Sequence, residues 1–154
     1  MRSHLSLFFG VFAVMALSNA IVPVLPSYTG TSAIQGAIYS AYFLGAFVST
    51  LPAGILSDRY GRVPVLRIGL VITFASGLLL SVLVSPVPVF IIRILEGVGA
   101  GFFVAAALSY VNSLPDHEKM SGYFMASLNA GLVIGLVIAG WLATDLHNPA
   151  AGIL

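Results

Sequence analysis

Apolar side chains run almost unbroken along this chain, interrupted at four places: the uncharged turn Ser27 to Ser32, the loop around Asp58 to Arg62, the break Ser85-Pro86-Val87-Pro88, and Asn112 to Met120. The five runs between them are each roughly the 20 residues that a helix needs to cross a hydrocarbon core. The pattern therefore predicts an all-α integral membrane protein with five transmembrane helices, at about 5–25, 33–56, 64–84, 89–111 and 122–143. The second and fourth breaks carry Asp58, Arg59, Arg62, Asp116, His117, Glu118 and Lys119, with Arg67 one turn into the third span; the first and third breaks carry no charge. Because basic residues stay on the cytoplasmic side, this alternation predicts a cytoplasmic N-terminus and a fifth helix ending outside. The start, with Arg2 and His4 before an apolar stretch and Ser18-Asn19-Ala20 after it, also has the form of a secretory signal. The continuation of the run to Leu25, and the four spans that follow, favour a membrane helix.

Composition narrows the function. Of 154 residues, 59% are hydrophobic and 7% charged, and mean hydropathy is +1.07, whereas soluble chains have about a quarter charged. A net charge of +1 offers no field for nucleic acid. With no cysteine and three scattered histidines, neither a disulfide nor a metal site is expected. No phosphate-binding Gly-x-x-x-x-Gly-Lys-(Ser/Thr) loop is present, so no nucleotide cofactor or enzymatic hydrolysis by that route is expected. Any pumping would draw on an ion gradient or on the substrate's own.

The fourth span carries the unusual chemistry. Arg93 and Glu96 lie three apart well inside it, on adjacent turns of one face, where ionisable groups must pair or meet water and are functional candidates by default. A role in transport and a buried structural pair are both open. Tyr39 and Tyr42 share a face of the second span; they can line a substrate path or hydrogen-bond within the bundle, and Tyr39 also suits the aromatic belt. Gly36, Ala37, Gly45 and Ala46 permit close helix packing there. In the fifth span Asn129 and Met125, four apart, can face a cavity, and Trp141 suits the outer interface. Asp116 and Glu118 are candidate partners for Arg59 and Arg62.

Several motifs resemble those of one family. Gly54-Ile-Leu56-Ser-Asp58-Arg59-Tyr-Gly61-Arg62-Val-Pro-Val-Leu66 resembles the loop between helices 2 and 3 of the major facilitator superfamily, Gly-x-Leu-(Ala/Ser)-Asp-Arg-x-Gly-Arg-(Arg/Lys)-x-x-Leu, departing from it at Val63. Arg93-Ile-Leu-Glu96-Gly97-Val-Gly99-Ala100 is similar to the family's helix 4 motif, with Glu96 where Gln is common. Asn19-Ala-Ile-Val-Pro23-Val-Leu-Pro26 is similar to the end of helix 1 in drug and metabolite exporters, where the polar residue often faces the cavity; an interhelical hydrogen bond is the other reading of Asn19. Gly131-x-x-x-Gly135-Leu136-x-x-Ala139-Gly140 is a degenerate match to the antiporter motif, with Leu136 in place of a Pro, and equally ordinary helix-packing chemistry.

The resemblance implies a fold of two six-helix halves, each built from inverted three-helix repeats. The chain would supply five of the six helices of the first half, with a sixth beginning near Ala150 to Leu154 and the second half missing. It would then be a fragment of a plasma-membrane transporter that moves a small molecule by alternating access through the lipid bilayer, as a proton-coupled exporter. In that reading Gly54, Asp58, Arg59, Gly61 and Arg62 form a conformational latch against the second half. Arg93, Glu96 and Gly97 serve proton coupling, and Asn19, Tyr42 and Asn129 line the substrate cavity. A symporter or uniporter for sugars or organic anions, with Arg93 as an anion anchor, is the alternative. So is a non-transporting membrane protein, a truncation product or a scaffold that oligomerises through the glycine faces of the fourth and fifth spans.

The charge alternation is directly testable, since the chain has no native cysteine. Single cysteines placed at Tyr60 and His117 should be shielded from an impermeant thiol reagent in intact cells, and cysteines at Thr29 and Val87 should label. The reverse pattern would end the five-span topology.

Overall fold

A computed structural model describes residues 2–83 and 85–145, with side chains over 5–26, 29–83 and 85–144. The elements in order are α1 (Arg2–Asn19), a 3-10 turn (Val22–Val24), α2 (Leu25–Tyr28), α3 (Ser32–Tyr60), α4 (Arg62–Val82), α5 (Pro86–Asn112) and α6 (His117–Asp145). Among the described residues there is no strand, and five segments are long and apolar enough to cross a membrane. The Val84 end of the third span, His147 and the stretch Ala150 to Leu154 lie outside the described residues, as do the side chains of Arg2 and His4.

The helix ends follow from proline and glycine chemistry. The first span, expected to be continuous to residue 25, leaves the α-helix at Asn19. Pro23 has no N–H to give the Asn19 carbonyl, and its ring crowds that position. The backbone tightens instead, with Val24 N–H donating to the Ile21 carbonyl at 3.0 Å. The charged loop also differs from expectation: α3 continues through Asp58 to Tyr60 and α4 starts at Arg62, so the whole turn is Gly61. Its φ of +90° is open to glycine and strained for any residue with a Cβ. α5 starts at Pro86, where the missing N–H costs nothing because the first helical donors are unpaired in any case.

The bundle has a charged end, with the Gly61 turn and the α5–α6 connection, and an opposite end whose two connections carry no charge. α5 lies between α3 and α4, while α6 packs along α1. Small residues set these distances. A Cβ on Gly97 would fall on the Tyr42 carbonyl oxygen, one on Gly45 on the Ile94 carbonyl, and one on Gly101 against Ala46 and Ser49. Gly131 and Gly135 sit in the same way against the Phe12 and Ala16 carbonyls, which joins α6 to α1. Backbones in such contact gain dispersion where lipid offers no hydrophobic drive to associate. A central apolar cluster that includes Val11, Val14, Phe103, Ala107 and Phe124 ties α1, α5 and α6 together. Outward faces remain apolar, with Phe47 81% and Leu51 74% exposed on α3 and Val137 64% exposed on α6.

Gly97→Ala should destabilise the detergent-purified protein by about 1–3 kcal/mol, as is typical of overpacking, and so lower its thermal unfolding midpoint. Gly36→Ala should leave the midpoint unchanged or raise it, because its Cβ would meet nothing within 4 Å and alanine is the better helix former. Equal sensitivity at the two sites would contradict the α3–α5 contact.

Candidate functional site

The break in α1 and the close α3–α5 packing bring four side chains together near the middle of the bundle. Arg93 and Glu96 face the same way because they are three apart on α5. Arg93 Nη1 meets Glu96 Oε2 at 2.6 Å, with the two side chains each 1% exposed. The same Nη1 donates to the Ser18 carbonyl at 2.9 Å, in the last turn of α1 before the helix breaks. The Tyr42 ring, carried in by the approach of α3 to Gly97, lies 4.6 Å from the Arg93 Cζ, a cation–π contact. The Ser18 hydroxyl lies beside both the Glu96 carboxylate and the Tyr42 hydroxyl, without completing a hydrogen bond of ordinary geometry.

This arrangement is paired but not fully satisfied. Arg93 Nε, Glu96 Oε1 and the Ser18 hydroxyl have no hydrogen-bond partner, and buried polar groups without partners are uncommon and costly. Among the described residues it holds the only ion pair. A proton placed on Glu96 would therefore remove the sole described counter-charge of a buried guanidinium, so the protonation state of Glu96 and the position of Arg93 are chemically linked.

The other sequence candidates sit apart from this cluster or join it indirectly. Asn19 is buried, and its Nδ2 donates to the Met15 carbonyl at 2.9 Å in its own helix, so that donor makes no interhelical bond. Asn129 is exposed on α6 and donates in the same way to the Met125 carbonyl at 2.8 Å. Tyr39 connects to Tyr42 through Phe43, with edge-on ring contacts at 5.1 and 5.3 Å. Gly97 serves the site by admitting Tyr42. At the charged end Asp58 is exposed and Arg59 lies 5.5 Å from the Tyr60 ring. Arg62 donates to the Ser113 hydroxyl, which in turn donates to the Tyr110 carbonyl. Arg62 thus takes a neutral partner in place of the expected acids Asp116 and Glu118, because α4 begins at Arg62 itself and aims its side chain at the end of α5.

Ser18 is the residue that sequence reasoning missed. The available signal was Pro23: a proline five residues on marks the level at which the α1 backbone leaves its ladder.

A family model described as Major Facilitator Superfamily matches residues 7–154. The quinolone resistance protein NorA of Staphylococcus aureus (strain N315) is 26% identical over 149 residues, covering 92% of this chain and 38% of NorA. Multidrug resistance protein 2 of Bacillus subtilis (strain 168) is 28% identical over 140 residues, covering 86% of this chain and 35% of that protein. The chain thus spans little more than a third of the length of these relatives. With its five apolar helices and a family match over nearly all of its length, the chain belongs to the major facilitator superfamily.

Proposed function

We infer that the chain is the first-half portion of a membrane transporter that exports a small molecule by alternating access, with proton movement coupled to export through Glu96 and Arg93. The observation that carries this reading is the sealed Arg93–Glu96 pair, held at once by α1 through the Ser18 carbonyl and by α3 through the Tyr42 ring. Neutralising Glu96 frees Arg93 to seek another anion or water, and Arg93 cannot move without changing its contacts to both helices. Removing one partner of a buried pair costs about 3–5 kcal/mol, close to the roughly 5.5 kcal/mol that turns a 1:99 equilibrium into 99:1. One proton can thus shift much of the population between inward- and outward-facing forms. Drug export is supported by the names of the relatives, a quinolone resistance and a multidrug resistance protein. Glu96 already occupies Arg93 Nη1, which argues against an anion anchor.

The surface supports the remaining parts of the reading. The charged end is cytoplasmic, by the positive-inside bias, in the plasma membrane. At that end a groove of about 590 Å³ runs along α3 past Phe47, Leu51, Gly54 and Asp58, and a Cβ on Gly54 would meet nothing within 4 Å. Gly54 therefore makes no close helix approach among the described residues. The groove suits a helix of a second transporter half, with Asp58 as the latch against its terminus.

The test uses the protein expressed from its own gene, so that every encoded segment is present, in proteoliposomes with a quinolone as the transported probe. Glu96→Gln should abolish accumulation driven by a pH gradient while sparing downhill exchange. Arg93→Ala should damage both, because it leaves Glu96 buried and unpaired. Near-wild-type pH-driven transport in the double variant Arg93→Met, Glu96→Gln would make the pair structural and refute the coupling role.

A further inference from the structure

Two hydroxyls on α4 are sealed inside the bundle and play no part in the cluster around Arg93. Ser76 and Thr73 are both buried, and neither hydroxyl has a hydrogen-bond partner among the described residues. A serine inside a helix usually satisfies its hydroxyl on the carbonyl of the preceding turn, and one that does not, in the interior, leaves a costly polar group unmade. The register of the two antiparallel helices α4 and α5 fixes what Ser76 faces. A Cβ on Gly69 would fall on the Phe103 backbone, and one on Gly99 would fall on Thr73, so Gly69 lies level with Phe103 and Thr73 with Gly99. One step nearer the charged end, Val65 shares an apolar cluster with Ala106; toward the opposite end, Leu80 packs in a cluster with Val89 and Ile92. Between Thr73 and Leu80 on α4, and between Gly99 and Ile92 on α5, one buried facing position remains on each helix: Ser76 and Glu96.

Glu96 Oε2 is taken by Arg93 while Oε1 has no partner, so an unpartnered carboxylate oxygen and an unpartnered hydroxyl occur at one level of the α4–α5 interface. Among the described residues, the ionisable groups facing Glu96 are Arg93 on α5 and Tyr42 on α3. α1 contributes the Ser18 hydroxyl, and neither α4 between Arg67 and Val82 nor α6 between Tyr123 and Asp145 carries an ionisable side chain. When Glu96 takes a proton from a hydronium ion, releasing water, an O–H bond forms on the carboxyl and the ion pair with Arg93 ends. The group is then a donor that needs an acceptor. We propose that Ser76 holds the protonated form of Glu96, its Oγ accepting the carboxyl proton, so that neutralisation carries the side chain from Arg93 toward α4. Ser76 is then a positioning residue within the proton-coupled reading of the pair, on which this assignment rests. Arg93 ties α5 to α1 and α3. A protonated Glu96 would tie it to α4 instead, so one proton changes which neighbours grip α5.

The protein expressed from its own gene, in phosphatidylcholine nanodiscs and without substrate, is titrated by infrared difference spectroscopy, and the carboxyl C=O band of Glu96 is assigned by its loss in Glu96→Gln. Ser76 favours the protonated form, so removing its hydroxyl should lower the pH at which Glu96 takes a proton. Ser76→Ala should shift the midpoint down by about 0.7 pH unit, a proton affinity about fivefold weaker, and move the band to the higher frequency of a carboxyl without an acceptor. Ser76→Thr keeps the hydroxyl and should restore both. Ser76→Cys, with a weaker acceptor, should shift them in the same direction as alanine and serves if Ser76→Ala does not fold. Ser57→Ala removes another buried, unpartnered hydroxyl, near the charged end of α3, and should change neither. An unchanged band and midpoint in Ser76→Ala would overturn the proposal, as would a shift that appears in Ser18→Ala instead, which would put the acceptor on α1. A Glu96 that takes no proton at any pH where the protein stays folded would overturn it too. Transport fails separately: quinolone accumulation that survives Glu96→Gln, beside an intact Ser76 effect, would refute the coupling alone. Accumulation lost in Glu96→Gln with no Ser76 effect would refute the role of Ser76 alone.

Discussion

The ion pair of Arg93 and Glu96 sets conditions that the surrounding helices must meet. Two charges in the interior of an apolar bundle are tolerable only when they face each other and are held by further polar or aromatic contacts. Here the pair is intrahelical, so α5 supplies both charges, but its other supports come from neighbouring helices: the Ser18 carbonyl from α1 and the Tyr42 ring from α3. Each support has a structural precondition. The carbonyl is presented where α1 is about to leave its helical ladder below Pro23. The ring is close because Gly97 carries no Cβ to hold α3 away. A proline and a glycine thus position an arginine that neither of them touches through a side chain.

The glycine contacts make the bundle precise without making it apolar-driven. In lipid, the exposed leucines and phenylalanines of α3 and α4 and the exposed valines and isoleucines of α6 gain nothing by burying themselves against each other. Stability has to come from backbone approach, and Gly45, Gly97 and Gly101 on one interface and Gly131 and Gly135 on another supply it. Because these contacts are backbone to backbone, they resist small adjustments and favour motion of whole helices. That property suits a pair whose charges should be exposed only by a discrete rearrangement.

Span number and the Arg93–Glu96 pairing were legible from the sequence because each rests on local pattern: apolar runs of bilayer length, and two ionisable residues spaced by three. The turn at Gly61 was legible as a turn but not as a single residue, since nothing in Asp58-Arg59-Tyr60 forbids helix and only the backbone angle of Gly61 ends it. The partners of Arg62 and the contact of Ser18 with Arg93 were not legible. The first depends on which way α4 leaves the turn, and the second joins residues 75 positions apart through a backbone atom that has no residue identity. Asn129, read as able to line a cavity, satisfies its donor on the preceding turn at Met125 and is exposed on α6.

The charged end and the buried pair divide the electrostatics of the chain between two regimes. Arg59, Arg62 and Arg67 stand where solvent, lipid head groups and salt can compensate them, so their individual contributions to stability are small and their effect is on orientation and on what binds nearby. Arg93 has no such medium and depends on a single carboxylate, a carbonyl and a ring. The same residue type is therefore interchangeable within one region and not within the other. A lysine at position 67 would keep the charge asymmetry that orients the chain. A lysine at position 93 would present a point charge without the planar face that stacks on Tyr42, and would have to reach Glu96 and the Ser18 carbonyl from a different angle. What distinguishes the two sites is how few partners can replace those present, and at Arg93 those partners come from α5 itself and from the two helices that grip it.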